Sequence, residues 1–101
     1  MKSTALIFRA LANEKRLKIM KWIVDPRAHF PPQIDGDLVE DGVCVGHITD
    51  KIKLKQPTVT SHMKVLEEAG LVTSKKIKNW VFYKPVKKTL SGFVEDLSEF
   101  S

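Results

Sequence analysis

A two-residue link constrains this chain more than any other feature. Residues 45 to 53, VGHITDKIK, place Val45, Ile48 and Ile52 at helical spacings, and residues 56 to 69, QPTVTSHMKVLEEA, repeat the pattern with Val59, Met63 and Leu66. Only Leu54 and Lys55 lie between them. So short a link forces the helices to cross rather than run on, which is the helix-turn-helix arrangement. In the second helix, Gln56, Thr58, Ser61, His62 and Lys64 fall on or near the side opposite the apolar stripe, and Thr60 adds to the hydroxyl-rich first half. Short polar side chains held this way can approach base edges in a major groove, so residues 56 to 69 read as a DNA recognition helix. The competing reading is an ordinary amphipathic surface helix.

Gly70 stops that helix, and two runs rich in β-branched and aromatic residues follow, LVTSKK and WVFYKPV. They predict a hairpin whose turn is eased by Asn79, a residue that tolerates a left-handed backbone. Lys75, Lys76 and Lys78 then sit at or near its tip as a basic wing. Upstream, Ser3 or Thr4 can cap a first helix through about Ala12, with Leu6, Ile7, Ala10 and Leu11 on a broad apolar face. Asn13 caps a second, in which Leu17, Ile19, Met20, Ile23 and Val24 are expected to be buried and which Pro26 ends. Residues 26 to 43, PRAHFPPQIDGDLVEDGV, show no sustained period and predict a loop with a short extended piece at Gln33 and Ile34. Last, Leu90, Phe93, Val94, Leu97 and Phe100 recur at helical spacing, more apolar surface than a small core absorbs. A second subunit would bury it.

Charge is distributed unevenly. Lys51, Lys53, Lys55, Lys64, Lys75, Lys76, Lys78, Lys84, Lys87 and Lys88 are opposed only by Glu67 and Glu68 across their span. Asp25, Asp35, Asp37, Glu40, Asp41 and Asp50, by contrast, face Arg27 alone. The net charge is +5, so one pole should attract phosphate while the other repels it. A chain of 101 residues is one domain by length. No apolar run approaches the roughly 20 residues that span a bilayer, and no cleavage pattern follows the short apolar patch near Met1. A cytoplasmic chain without a membrane segment is the expectation. There is no phosphate-cradling glycine loop, nucleophile elbow or carboxylate pair spaced for a cleft, so enzyme activity is not expected.

These blocks, in this order, resemble the ArsR/SmtB family of winged-helix repressors. ALANEKRLKIMKWI, residues 10 to 23, is similar to that family's second-helix signature, and QPTVTSHMKVLEEAGLV followed by WVFYK to its recognition helix and wing. The resemblance implies a mainly α chain with a small β-hairpin, five helices plus a two-stranded wing, forming a single winged helix-turn-helix domain over residues 1 to 101. It further implies a homodimer joined through the terminal helices, about residues 3–12 and 88–100, and a double-stranded inverted-repeat operator that is released by an effector. Lys55, Lys64, Lys75, Lys76 and Lys78 are the expected phosphate ligands, with Gln56, Thr58, Thr60, Ser61 and His62 at the bases, a helix-capping or packing role being the competing reading of His62. Leu6, Ile7, Leu90, Phe93, Val94 and Leu97 are the expected dimer contacts.

Three positions depart from the family pattern. Lys55 stands where a capping serine is common, and Lys78 with Asn79 where the wing turn commonly has glycine. The paired cysteines of many metal-sensing members are reduced to Cys44, Val45 and Gly46, and residues 88 to 101 hold no histidine. No metal or other cofactor is therefore expected. Cys44 keeps three readings: a small buried residue, a redox or persulfide sensor at a helix start, or a ligand beside His47 or His29. Asp35, Asp37, Glu40 and Asp41 lack the ligand ladder of a calcium loop and read as a solvated acidic segment. Trp22 and Trp80 are expected in core or dimer packing. A different class of function stays open beside DNA binding: winged helices also serve as protein-protein adaptors, in which Gln56, Thr58 and Ser61 would touch a partner.

Overall fold

A computed structural model describes residues 3–101. Helix α1 (Thr4–Leu11) begins where Ser3 Oγ accepts the Leu6 amide, and α2 (Glu14–Ile23) where Asn13 Oδ1 accepts the amides of Lys15 and Arg16. A four-residue helical turn, α3 (Pro26–His29), follows inside the segment expected to be loop. Its cause is Pro26, whose fixed φ suits a first helical position. Residues Gln33 and Ile34 form no strand; the extended piece is β1 (Val43–Cys44), which runs directly into α4 (Val45–Ile52).

Between α4 and α5 (Gln56–Glu68), Lys53 takes a left-handed backbone at φ 59° and its amide donates to the Thr49 carbonyl at 3.0 Å. That reversal lets the two-residue link turn the chain sharply. Helix α5 ends at Gly70, φ 76°, where the Leu71 amide reaches back to the Leu66 carbonyl at 3.0 Å. The chain is thereby aimed into β2 (Val72–Ile77), which pairs antiparallel with β3 (Trp80–Pro85) before α6 (Lys87–Leu97) and a terminal 3-10 turn, Ser98–Phe100.

The expected two-stranded wing is a three-stranded sheet in the order β1-β3-β2, with Val43 opposite Tyr83 and Cys44 opposite Phe82. A two-residue strand lies below what alternation in sequence can signal. The hairpin turn is also shifted: Lys78, φ 55°, holds the left-handed position expected at Asn79. Mostly helical with a small antiparallel sheet, the architecture is otherwise that of the expected winged helix-turn-helix.

The core is assembled from Ile19 and Ile23 of α2, Ile48 of α4, Val59, Met63 and Leu66 of α5, and Leu71, all 0% exposed. Each buried aliphatic side chain contributes roughly 1.5 to 3 kcal/mol, so these contacts fix α5 to the body far more firmly than its own helix propensity would. Leu17 and Val24, expected within that surface, remain 40% exposed. No helix among the described residues is long and apolar enough to cross a membrane.

Candidate nucleic-acid interface

With one side sealed into the core, α5 turns outward Gln56, Thr58, Thr60, Ser61 and Lys64, all exposed. Lys55 precedes them as the N-cap residue and makes no side-chain cap bond; Pro57 lies in the first turn and carries no amide hydrogen. The first-turn amides that remain point along the helix axis beside a lysine, an arrangement suited to a phosphate oxygen.

His62 departs from this row. It is half-buried, and its Nδ1 lies 3.2 Å from a terminal guanidinium nitrogen of Arg16 on α2. The same arginine donates through Nε to the Ala10 carbonyl at 2.6 Å and through its other terminal nitrogen to the Arg9 carbonyl at 3.4 Å. Arg16 thus closes the end of α1 and braces α5 against it. Burial, and then the Arg16 charge, hold the His62 pKa below the ordinary histidine value. Of the two readings of His62 from sequence, a place at the DNA surface or a capping or packing role, its contact with Arg16 adds packing, and its Nε2 edge is what remains for a base. No contact with α5 was expected of Arg16, since nothing in its spacing ties it to a residue 46 positions away.

The wing lysines divide by strand alternation. Val72, Ser74 and Lys76 share the face turned toward the helices, and Ser74 Oγ donates to Glu67 of α5 at 2.8 Å. Lys75 shares the opposite face with Phe82, its cross-strand partner. On that face lies the acidic segment. Lys75 Nζ is 2.6 Å from Asp41 Oδ1, Lys78 Nζ is 2.9 Å from Asp35 Oδ1, and Lys84 Nζ donates to the Glu40 carbonyl at 3.1 Å. The expected separation into a basic and an acidic pole is therefore corrected: the acidic segment folds onto the outer face of the wing and takes up the charge of Lys75 and Lys78. Lys76 has no ion-pair partner among the described residues.

The segment is internally rigidified. Asp37 accepts the amides of Val39 and Glu40 at 2.9 and 2.8 Å, and these bonds lower its pKa. Asp41 is held below the usual carboxylate range first by its bond to Lys75 and then by the Asp37 amide. Gln33 donates to the Gly36 and Gly42 carbonyls and accepts the Cys44 amide at 2.7 Å, joining the segment to β1. The carboxylates of Asp35, Asp37 and Asp41 thus serve lysines and amides, and no group of three or more candidate metal ligands occurs among the described residues.

Cys44 is 8% exposed, with a free thiol. His47 is half-buried edge-on to Phe30 at 6.5 Å, and exposed His29 ends α3. Trp22 is half-buried against Phe30 beneath Lys51, whereas Trp80, expected in packing, is 49% exposed.

The terminal helices lie together. Thr4 Oγ1 donates to Asp96 at 2.6 Å, and Phe8 meets Phe93 edge to face at 5.0 Å. Of the six expected dimer contacts, Ile7 and Phe93 are buried inside the protomer, Leu6, Leu90 and Leu97 are half-buried, and Val94 is 64% exposed. Ile7 and Phe93 already serve the protomer's own core. Phe100, expected with the apolar residues of α6 to meet a second subunit, is exposed, and so is Phe8 beside Phe93, which was not among the expected contacts.

The family model for bacterial regulatory proteins of the arsR family matches residues 38–74, which span β1, α4, α5 and the start of β2. The HTH-type transcriptional regulator YbzH of Bacillus subtilis strain 168 is 41% identical over 91 residues, covering 90% of this chain and 91% of its own length. Among solved structures, an ArsR-like transcriptional regulator from Rhodococcus sp. RHA1 superposes with a TM-score of 0.69 at 18% identity, over 96% of this chain and 77% of that one. A homodimeric winged helix-turn-helix DNA-binding domain from Mycobacterium bovis, described as a possible ArsR-family regulator, does so with a TM-score of 0.66 at 18% identity, over 94% and 77%. At such identity these two likenesses bear on the fold alone. With the sequence match and the crossed helices in agreement, the chain belongs to the arsR family of bacterial regulatory proteins, as a transcriptional regulator, not an enzyme, built on a winged helix-turn-helix DNA-binding domain.

Proposed function

We propose that this regulator is a homodimeric repressor that binds an inverted-repeat operator in cytoplasmic double-stranded DNA and is released by a small-molecule or redox effector. The observation that carries the reading is the exposed polar row of α5, set on a stripe whose residues Val59, Met63 and Leu66 are 0% exposed. A helix so anchored can present side chains to a groove with little reorganisation. Gln56 has the forked amide that pairs with adenine, and Thr58, Thr60 and Ser61 have hydroxyls that suit any base edge. Lys55, Lys64 and Lys76 hold phosphates and set register.

Support for the dimer comes from the terminal elements, where Phe8 of α1, Val94 of α6 and Phe100 of the last turn are each exposed. Two-fold symmetry would then carry over to the operator. Selection from a pool of random duplexes tests the reading: the expected product is an inverted repeat with half-sites about one helical turn apart. A pool that stays random would support the adaptor alternative.

A further inference from the structure

On its outer face the sheet presents Phe82, 1% exposed, and Trp80, 49% exposed. Next to them the start of α4 and the segment after Pro31 leave a groove of about 490 Å³. Small-molecule sites commonly enclose roughly 300 to 1,000 Å³. Cys44 and Gly46 contribute to its base, Trp80 and Ile34 to its rim, and Asp35 and Asp50 are its two carboxylates. No lysine or arginine lines it. Of the nearby cations, Lys51 is turned away over Trp22 and Phe30, whereas Lys78 already pairs with the groove carboxylate Asp35 across an exposed contact of 2.9 Å. Asp50 makes no side-chain hydrogen bond or ion pair among the described residues. The groove therefore joins an open aromatic surface to a carboxylate without a partner, and its walls are mainly carbon.

We propose that this groove is a binding site for a planar organic cation, stacked on Trp80 and paired with Asp50 and Asp35. An indole face attracts a cation through its quadrupole, and an exposed carboxylate at the edge of an apolar groove adds to the selection for positive charge. A cation at Asp35 displaces Lys78 and frees the wing tip from the acidic segment. That consequence, which names the effector class, rests on the DNA-binding reading; occupancy of the groove does not.

The test is calorimetry without DNA, titrating the intact protein with proflavine, a planar tricyclic cation, and separately with anthracene-9-carboxylate, an anion of similar shape. The expected result is one proflavine per chain, bound at least about tenfold more tightly than the anion. Asp50→Asn, an exposed and nearly isosteric change, should weaken proflavine about fivefold, and amide spectra should place the perturbation at Cys44 and Gly46. Equal binding of both compounds, no binding of either, or proflavine affinity untouched by Asp50→Asn overturns the proposal. Because no DNA is present, any of these outcomes leaves the operator-binding account standing.

Discussion

The guanidinium of Arg16 donates to Nδ1 of His62 at 3.2 Å, and because arginine has no acceptor, that nitrogen must carry a lone pair. His62 is consequently the neutral tautomer with its proton on Nε2, so any base it meets is offered a donor. The folded pKa is depressed, so the unfolded chain takes up the proton first as pH falls below about 6.5. Stability conferred by the neutral ring is complete above that pH and declines until the folded pKa is passed. Arg16→Met should raise the His62 pKa while leaving it below 6.5, since burial, the larger cause, remains. An imidazole NMR titration reads this directly, and an unchanged pKa would remove Arg16 from the interface.

Gln56 and Lys76 should separate in their effects on DNA. Gln56→Ala is expected to cost about 1 to 3 kcal/mol at the preferred site and little elsewhere, whereas Lys76→Ala should weaken all duplexes alike and flatten the salt slope. Competition titrations with matched and scrambled duplexes distinguish the two. A uniform loss in both variants would contradict the division between reading and positioning.

The acidic segment should act as a brake on the wing. Asp41 has a depressed pKa, so its ion pair with Lys75 is present above the ordinary carboxylate pKa and is lost only as pH falls through the lowered folded value. At neutral pH the pair is fully formed. Asp35→Asn combined with Asp41→Asn should free two lysines and steepen the slope of log affinity against log salt by about 1 to 2. An unchanged slope would mean that Lys75 and Lys78 stay away from phosphates.

For the dimer, Val94 gives a cleaner probe than Phe93, which already fills the protomer core. Val94→Glu puts a charge on a residue that is 64% exposed and should yield folded monomers by sedimentation. A persistent dimer would move the interface off α6.

Gly42 is fixed by geometry. Its φ is +104°, and an added Cβ would collide with the backbone of Tyr83 in β3. Gly42→Ala should therefore destabilise the fold by about 2 kcal/mol or more, seen as a lowered denaturation midpoint.

What could be read in sequence was whatever period and punctuation encode locally. Val59, Met63 and Leu66 announced the buried side of α5, and Asn13 its cap on α2, because each signal spans a few residues. The wing hairpin was legible, but not the shift of its left-handed residue to Lys78, since the choice between neighbouring turn positions is made by strand twist. Contacts between distant segments left no local trace. Lys75 with Asp41 and Arg16 with His62 depend on the fold bringing charges together, so counting lysines overstated the free positive charge of the wing. Likewise Phe93 reads as surplus apolar surface in sequence, because its packing against Phe8 joins helices at opposite ends of the chain.

The central claim, sequence-specific DNA binding by the α5 surface, is tested most directly by fluorescence anisotropy. The protein would be titrated into labelled duplex from upstream of its own gene, with unrelated duplex as competitor, at about 50 and 200 mM salt. Preferential binding that weakens at least tenfold at the higher salt is the predicted result, as several phosphate contacts require. No binding at low salt, or binding indifferent to both salt and sequence, would contradict it.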